Sequence, residues 1–201
     1  MVALAEKYNA DIMVDDAHAL GVLGDQGRGT ANYFGLTDKV DLIMGTFSKS
    51  FGSLGGFIAS DSDTINYLKH NARSLIFSAS MPPSNVAAVS KAIDIMLEEP
   101  ERIEHLWDIS DYARMEFKCR GFEIGRSETP IIPLFVRNSE KAFWLCNRLL
   151  EDGVFVTPVI APAVPENDAL IRFALMATHT YAQLDEALDK ITKAFKEAEV
   201  Y

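Results

Sequence analysis

The chain has 201 residues, 48% of them hydrophobic, a length and composition that support one good core or two modest ones and exclude a disordered polymer. Acidic residues outnumber basic ones, 29 to 19, for a net charge of −10, and no cluster of Lys or Arg interrupts that balance, which excludes nucleic acid as the expected partner. Cys119 and Cys146 lack CxxC spacing, and no apolar run reaches the ~18 residues a bilayer span needs, so a disulfide framework, a thiolate zinc site and a membrane helix are all set aside in favour of a soluble, cytoplasmic protein.

Met1–Asn9 reads as the end of a helix, followed at once by the apolar run from Asp11 to Asp15 that buried strands show. An opening this abrupt suggests a front half lying elsewhere. Val40–Gly45, Gly56–Ala59 and Ser74–Ser78 are further strand candidates, each brief, apolar and bounded by Gly, Ser or Asp, as strands covered on both faces are. Beyond Pro82-Pro83-Ser84, where Ser84 is placed to cap, Val86, Val89, Ile93, Met96 and Leu97 recur at helical spacing up to Glu98-Glu99-Pro100. This predicts a connecting helix over about 84–98 and two lobes, 1–85 and 86–201.

In the second lobe a helix from about Glu101 closes at Gly121, Ile131–Val136 reads as a strand, and Ser139–Asp152 as a helix ended by Gly153 in the left-handed conformation. Val154–Val159 and Leu170–Met176 add strands. Leu184, Ala187, Leu188, Ile191, Ala194, Phe195 and Ala198 line one face of a last helix, the pattern of plain core packing. The fold class is α/β.

Three polar clusters stand where apolar strands end, the place where open α/β sheets build ligand crevices. The first, Asp15-Asp16-Ala17-His18, leads into a loop with Gly21, Gly24, Gly27 and Gly29. A carboxylate and an imidazole can face one ligand there, but Asp16 capping a turn and His18 as an ordinary loop histidine fit the pattern too, and three nearby ligands make a weak case for a metal. The second, Gly45-Thr46-Phe47-Ser48-Lys49-Ser50-Phe51-Gly52, is not a phosphate loop, because Ile43 and Ser48 stand where that motif needs glycines. A lysine at a strand end beside apolar residues has the desolvation that lets an amine form an imine; a structural lysine gives the same spacing. The third is Arg172, a lone cation inside Leu170-Ile-Arg-Phe-Ala-Leu-Met176, which must find an anion, either an internal Asp or Glu or the carboxylate of a substrate. His179, after it, reads as a structural residue at the start of the last helix.

Taken together, Asp15-x-x-His18, Thr46-x-x-Lys49 and Arg172 followed by Thr178-His179-Thr180 resemble the motifs of the α-oxoamine synthases, within fold type I of the pyridoxal-phosphate (PLP) enzymes. The blocks Val14–Val22, Gly45–Gly56 and Phe77–Pro83 carry the resemblance jointly, and it extends over essentially the whole chain. It implies part of the large, mostly parallel-sheet domain followed by a small α+β carboxy-terminal domain.

The resemblance further implies that Lys49 holds PLP as a Schiff base, Asp15 meets the pyridine nitrogen, His18 the ring hydroxyl and Thr46 the phosphate. Ser78, with Ser80 as the alternative, would approach the phosphate of the neighbouring subunit in a homodimer, and Arg172 would bind the amino-acid carboxylate. The implied reaction is a decarboxylating condensation of an amino acid with an acyl-CoA thioester, and the chain is most like the branch that joins L-serine to palmitoyl-CoA. Branches that use alanine with a pimeloyl thioester, or glycine with acetyl-CoA, come next. A peripheral membrane contact stays open.

Family members run to about twice this length, and their front half supplies the residue stacked on the cofactor ring. Little activity is therefore expected of this half alone, and a non-catalytic docking subunit is the reading from a different class.

Overall fold

Residues 1–200 are described by the computed structural model, in which the chain divides into two compact units, 1–103 and 104 onward. In the first, helix α1 (Val2–Tyr8) stops where Asn9 turns left-handed, with φ 48° and ψ 52°, a conformation Asn tolerates through its short polar side chain. Strand β1 (Met13–Asp15), helix α2 (Thr30–Tyr33), and strands β2 (Leu42–Thr46) and β3 (Gly56–Ala59) follow.

β1 runs parallel to β2, setting Asp15 opposite Met44, and β3 returns antiparallel with Gly56 opposite Thr46. The carboxyl ends of β1 and β2 and the amino end of β3 therefore share one sheet edge. The expected covering of both faces is not made by these residues: Met13 is 58% exposed and Ile58 37%. The sheet is three strands wide, and the core cluster that includes Phe57 of β3 is built on Phe47, Phe51 and Val89.

Helix α3 (Ser62–Asn71) begins at Asp61, whose carboxylate accepts from the Asp63 and Thr64 amides. The strand expected over Ser74–Ser78 is instead a short helix, α4 (Arg73–Ile76), with Ile76 N–H bonded to the Ala72 carbonyl and Phe77 N–H to the Arg73 carbonyl. An apolar run as short as Leu75-Ile76-Phe77 fits a helical turn as well as a strand, and among the described residues no partner strand takes its backbone groups.

Helix α5 (Pro83–Glu98) starts at Pro82 with Pro83 in its first turn, so Ser84 is not its cap. Proline's fixed φ and missing N–H suit the first helical position, where an amide would be unpaired in any case. Val89 is 5% exposed and packs with Phe47 and Phe51, so α5 belongs to the first unit. The break expected at 85/86 falls in the first turn of this helix, whereas the two compact units part after it, between Ile103 and Glu104.

The second unit holds most of helix α6 (Glu101–Cys119), strand β4 (Ile131–Phe135), helix α7 (Ser139–Glu151), strands β5 (Thr157–Val159) and β6 (Leu170–Ala174), and helix α8 (Tyr181–Glu197). Its antiparallel sheet has the order β4-β6-β5. Ile132 and Leu134 of β4 face Phe173 and Ile171 of β6, and these side chains are buried together with Phe117, Leu145, Leu149, Leu188, Ile191 and Phe195. Strand period 2 and helix period 3.6 thus deliver one apolar core.

Gly153 is left-handed at φ 84°, as its position after α7 predicts. α8 opens with a reciprocal cap: the Thr180 side chain accepts from Gln183 N–H, and the Gln183 side chain accepts from Thr180 N–H. Among the described residues no helix is long and apolar enough to cross a membrane.

Candidate active site

The shared edge of the first sheet gathers the first two sequence clusters. Asp15 ends β1 and is exposed; its Oδ1 accepts from Ala17 N–H at 3.0 Å, and Oδ2 carries no hydrogen bond among the described residues. Its neighbour Asp16 turns inward and is completely buried. Asp16 Oδ2 accepts from Thr30 N–H at 3.0 Å and its backbone carbonyl accepts from Ala19 and Leu20. Asp16 is therefore the carboxylate that pins the glycine loop, as its turn-capping reading has it, and Asp15 is the one left exposed at the strand end. His18 is exposed in the turn so formed.

Thr46 ends β2 and is the hydroxyl focus of the second cluster: Lys49 Nζ and Ser48 Oγ each lie 3.4 Å from its Oγ1. Lys49 sits midway between two buried anchors, Phe47 and Phe51, whose rings meet edge to face at 5.7 Å, while Phe47 also stacks on Phe57 at 5.7 Å. That bracket fixes the loop backbone and leaves the amine exposed, so the apolar enclosure expected around Lys49 is not made by the described residues.

Ser50, which sequence reasoning passed over, ties the two clusters together by donating from Oγ to the Leu20 carbonyl at 2.6 Å. Gly21, left-handed at φ 75°, makes room for it, since a Cβ there would lie 2.6 Å from Ser50 Cβ. The one available signal is that Ser50 adjoins the lysine; the 30-residue separation of the pair hides it from local patterns.

Gly45 has a different reason. A Cβ in this strand position would meet Leu20 Cδ1 at 2.4 Å and Phe57 Cε1 at 2.6 Å. Gly45→Ala is expected to lower stability by about 1–3 kcal/mol through overpacking, read from urea unfolding midpoints. An unchanged midpoint would mean that Leu20 and Phe57 give way freely.

In the second unit Arg172 lies on β6 opposite Pro133 of β4 and Thr157 of β5, on the face turned away from Ile171 and Phe173. Its Nε is buried without a hydrogen-bond partner, and among the described residues it forms no ion pair. Of the two readings open at the sequence level, the internal salt bridge is not made.

Ser78 is exposed just past α4, its Oγ donating to the Ser74 carbonyl at 2.5 Å. His179 accepts at Nδ1 from Met176 N–H at 3.1 Å, in the turn before α8. Among the described residues no group of three or more His, Cys, Asp or Glu is arranged to hold a metal ion.

The first unit thus brings a carboxylate, a hydroxyl and an amine to one edge, a donor set matched in kind to a protonated heterocyclic nitrogen, a phosphate and an aldehyde. Residues 1–191 match the family Aminotransferase class I and II. A serine palmitoyltransferase of Sphingobacterium spiritivorum is 59% identical over 200 residues, which are 100% of this chain and 50% of that protein. The 8-amino-7-oxononanoate synthase 1 of Bacillus subtilis is 45% identical over 200 residues, 100% of this chain and 51% of that protein. Among solved structures, that of SPT with a PLP internal aldimine superposes with a TM-score of 0.94 at 33% identity, over 100% of this chain and 51% of the other. The chain spans about half the length of the curated relatives it matches.

Proposed function

The chain belongs to the aminotransferase class I and II family, and from that premise we propose that it is the lysine-bearing half of a PLP-dependent acyltransferase that condenses L-serine with palmitoyl-CoA. The net reaction gives 3-ketodihydrosphingosine, free coenzyme A and carbon dioxide. The observation that carries the reading is the convergence of Asp15, Thr46 and Lys49 on one sheet edge, with Lys49 Nζ 3.4 Å from Thr46 Oγ1.

When bound, pyridoxal phosphate supplies an electron sink for the amino acid's α-carbon. Asp15 would hold the pyridine nitrogen in its protonated form, and His18 would meet the ring hydroxyl. Thr46 Oγ1, beside Lys49, would donate to the phosphate. Lys49 Nζ would hold the cofactor and would serve as general base toward the α-proton. Arg172 grips the amino-acid carboxylate with two parallel N–H donors and so orients the bond to be broken. Ser78 serves the phosphate bound by a second copy in a homodimer, with Ser80 as the alternative. The cytoplasm is the matching compartment, where thiols such as buried Cys146 stay reduced.

Serine is favoured over alanine as substrate by similarity: serine palmitoyltransferases are 59%, 57% and 48% identical to the chain, against 45–46% for 8-amino-7-oxononanoate synthases. The test is the visible absorbance of the PLP-loaded chain during separate titrations with L-serine, L-alanine and glycine. Serine is expected to perturb the spectrum at the lowest concentration. A preferential response to alanine or glycine would move the chain to the corresponding branch, and a chain that takes up no cofactor would be a docking subunit.

A further inference from the structure

The turn that follows the Arg172 strand is closed by a histidine side chain. Met176 N–H donates to His179 Nδ1 at 3.1 Å while His179 N–H donates to the Met176 carbonyl at 3.0 Å, a reciprocal pair that locks residues 176–179. Just upstream, Leu175, 8% exposed, donates its N–H to the Pro130 carbonyl at 3.2 Å. Just downstream stands Thr180, the cap of α8. The end of the strand that carries Arg172 is thus held between a buried side chain and a helix start, with His179 as the closing contact.

A second imidazole meets the same turn in the opposite sense. His105 Nε2 of α6 lies 3.0 Å from the His179 carbonyl, and since a carbonyl only accepts, that nitrogen carries the hydrogen. His105 keeps this bond whether neutral or cationic. His179 Nδ1, accepting from an amide, keeps its bond only while that nitrogen is unprotonated.

Beside His105, a chain of ionisable side chains runs through Tyr181 of α8 and Tyr112 of α6 to Asp185 of α8. The His105 ring meets Tyr181 edge to face at 6.2 Å, Tyr181 meets Tyr112 at 5.2 Å, and Tyr112 OH donates to Asp185. That hydrogen bond pushes the Tyr112 phenol up to about 12, so it holds its proton through neutrality.

We propose that His179 is a positioning residue: its unprotonated Nδ1 fixes the end of the Arg172 strand, so that amino-acid binding weakens when His179 takes up a proton. The proposal rests on the reading of Arg172 as the carboxylate site. It adds a pH-dependent control of that site through a residue that touches neither substrate nor cofactor.

The experiment uses the PLP-loaded chain and two variants, His179→Ala and His179→Asn. Asparagine offers Oδ1 as an acceptor in place of Nδ1 but does not titrate. Two readouts are followed over the histidine range, roughly pH 5–8: the NMR shift of the Met176 amide, and the L-serine concentration that gives the half-maximal spectral change. In the unaltered chain the Met176 amide is expected to titrate and serine affinity to fall about 5-fold toward acid pH, the worth of one hydrogen bond. His179→Asn should hold both nearly constant, and His179→Ala should bind serine more weakly across the whole range.

A Met176 amide that titrates equally in His179→Asn, or a serine affinity whose acid fall survives that substitution, would overturn the proposal. Arg172→Ala separates the two layers. If it leaves serine affinity unchanged, the carboxylate reading fails, while the Met176 amide still decides whether His179 closes the turn.

Discussion

Lys49→Ala is expected to abolish the covalent attachment of pyridoxal phosphate together with the lysine-dependent visible band, and to slow exchange of the α-proton of L-serine by about 10³-fold relative to the unaltered chain. The reason is local. Lys49 Nζ stands 3.4 Å from Thr46 Oγ1, on a loop whose backbone is pinned on either side by the buried rings of Phe47 and Phe51. Those rings, with Val89 behind them, hold the fold of the loop without help from the lysine side chain, which is exposed. The variant should therefore fold as the unaltered chain does, with an unchanged denaturation midpoint, and lose only the chemistry. A variant that kept the band would assign cofactor attachment to another lysine, and one that unfolded would show Lys49 to be structural.

Arg172→Ala should raise the serine concentration needed for half-maximal response by roughly 10- to 100-fold, the range expected for hydrogen bonds to a charged group. Arg172→Lys should recover only part of that loss, because an ammonium keeps the charge but not the planar fork that matches a carboxylate. Stability moves the other way. Arg172 Nε is buried with no partner, and an unpaired buried donor costs about 1–3 kcal/mol. Arg172→Met, of similar length and without donors, should thus leave stability unchanged or raise it. Had the guanidinium been half of an internal salt bridge, the same change would strand a buried carboxylate and destabilise the chain by several kcal/mol. Urea unfolding of Arg172→Met set beside serine binding separates the two readings.

Much of this arrangement was legible before any coordinates, for physical reasons that differ by residue. Lys49 and Asp15 stand out because apolar runs stop abruptly at polar residues, and in an open α/β sheet such ends face the crevice. Arg172 stands out because a lone cation in an apolar strand has to be compensated. The last helix was readable end to end, since Leu184, Leu188, Ile191 and Phe195 repeat at the helical period and all are buried.

What stayed hidden depended on contacts far apart in the chain or on ambiguous local signals. Leu75-Ile76-Phe77 formed a helical turn rather than a strand because three apolar residues carry no period. Asp15 and Asp16 are chemically identical neighbours; only the fold sends Asp16 inward to Thr30 and leaves Asp15 at the edge. The tie from Ser50 to Leu20 and the closure of Met176 on His179 likewise follow from tertiary geometry.

The most direct test of the central claim is to incubate the chain with pyridoxal phosphate, reduce with borohydride, digest, and locate the modified peptide by mass spectrometry. The account predicts the pyridoxyl group on Lys49, with no labelled peptide from Lys49→Ala; label on a different lysine, or none on the unaltered chain, would contradict it.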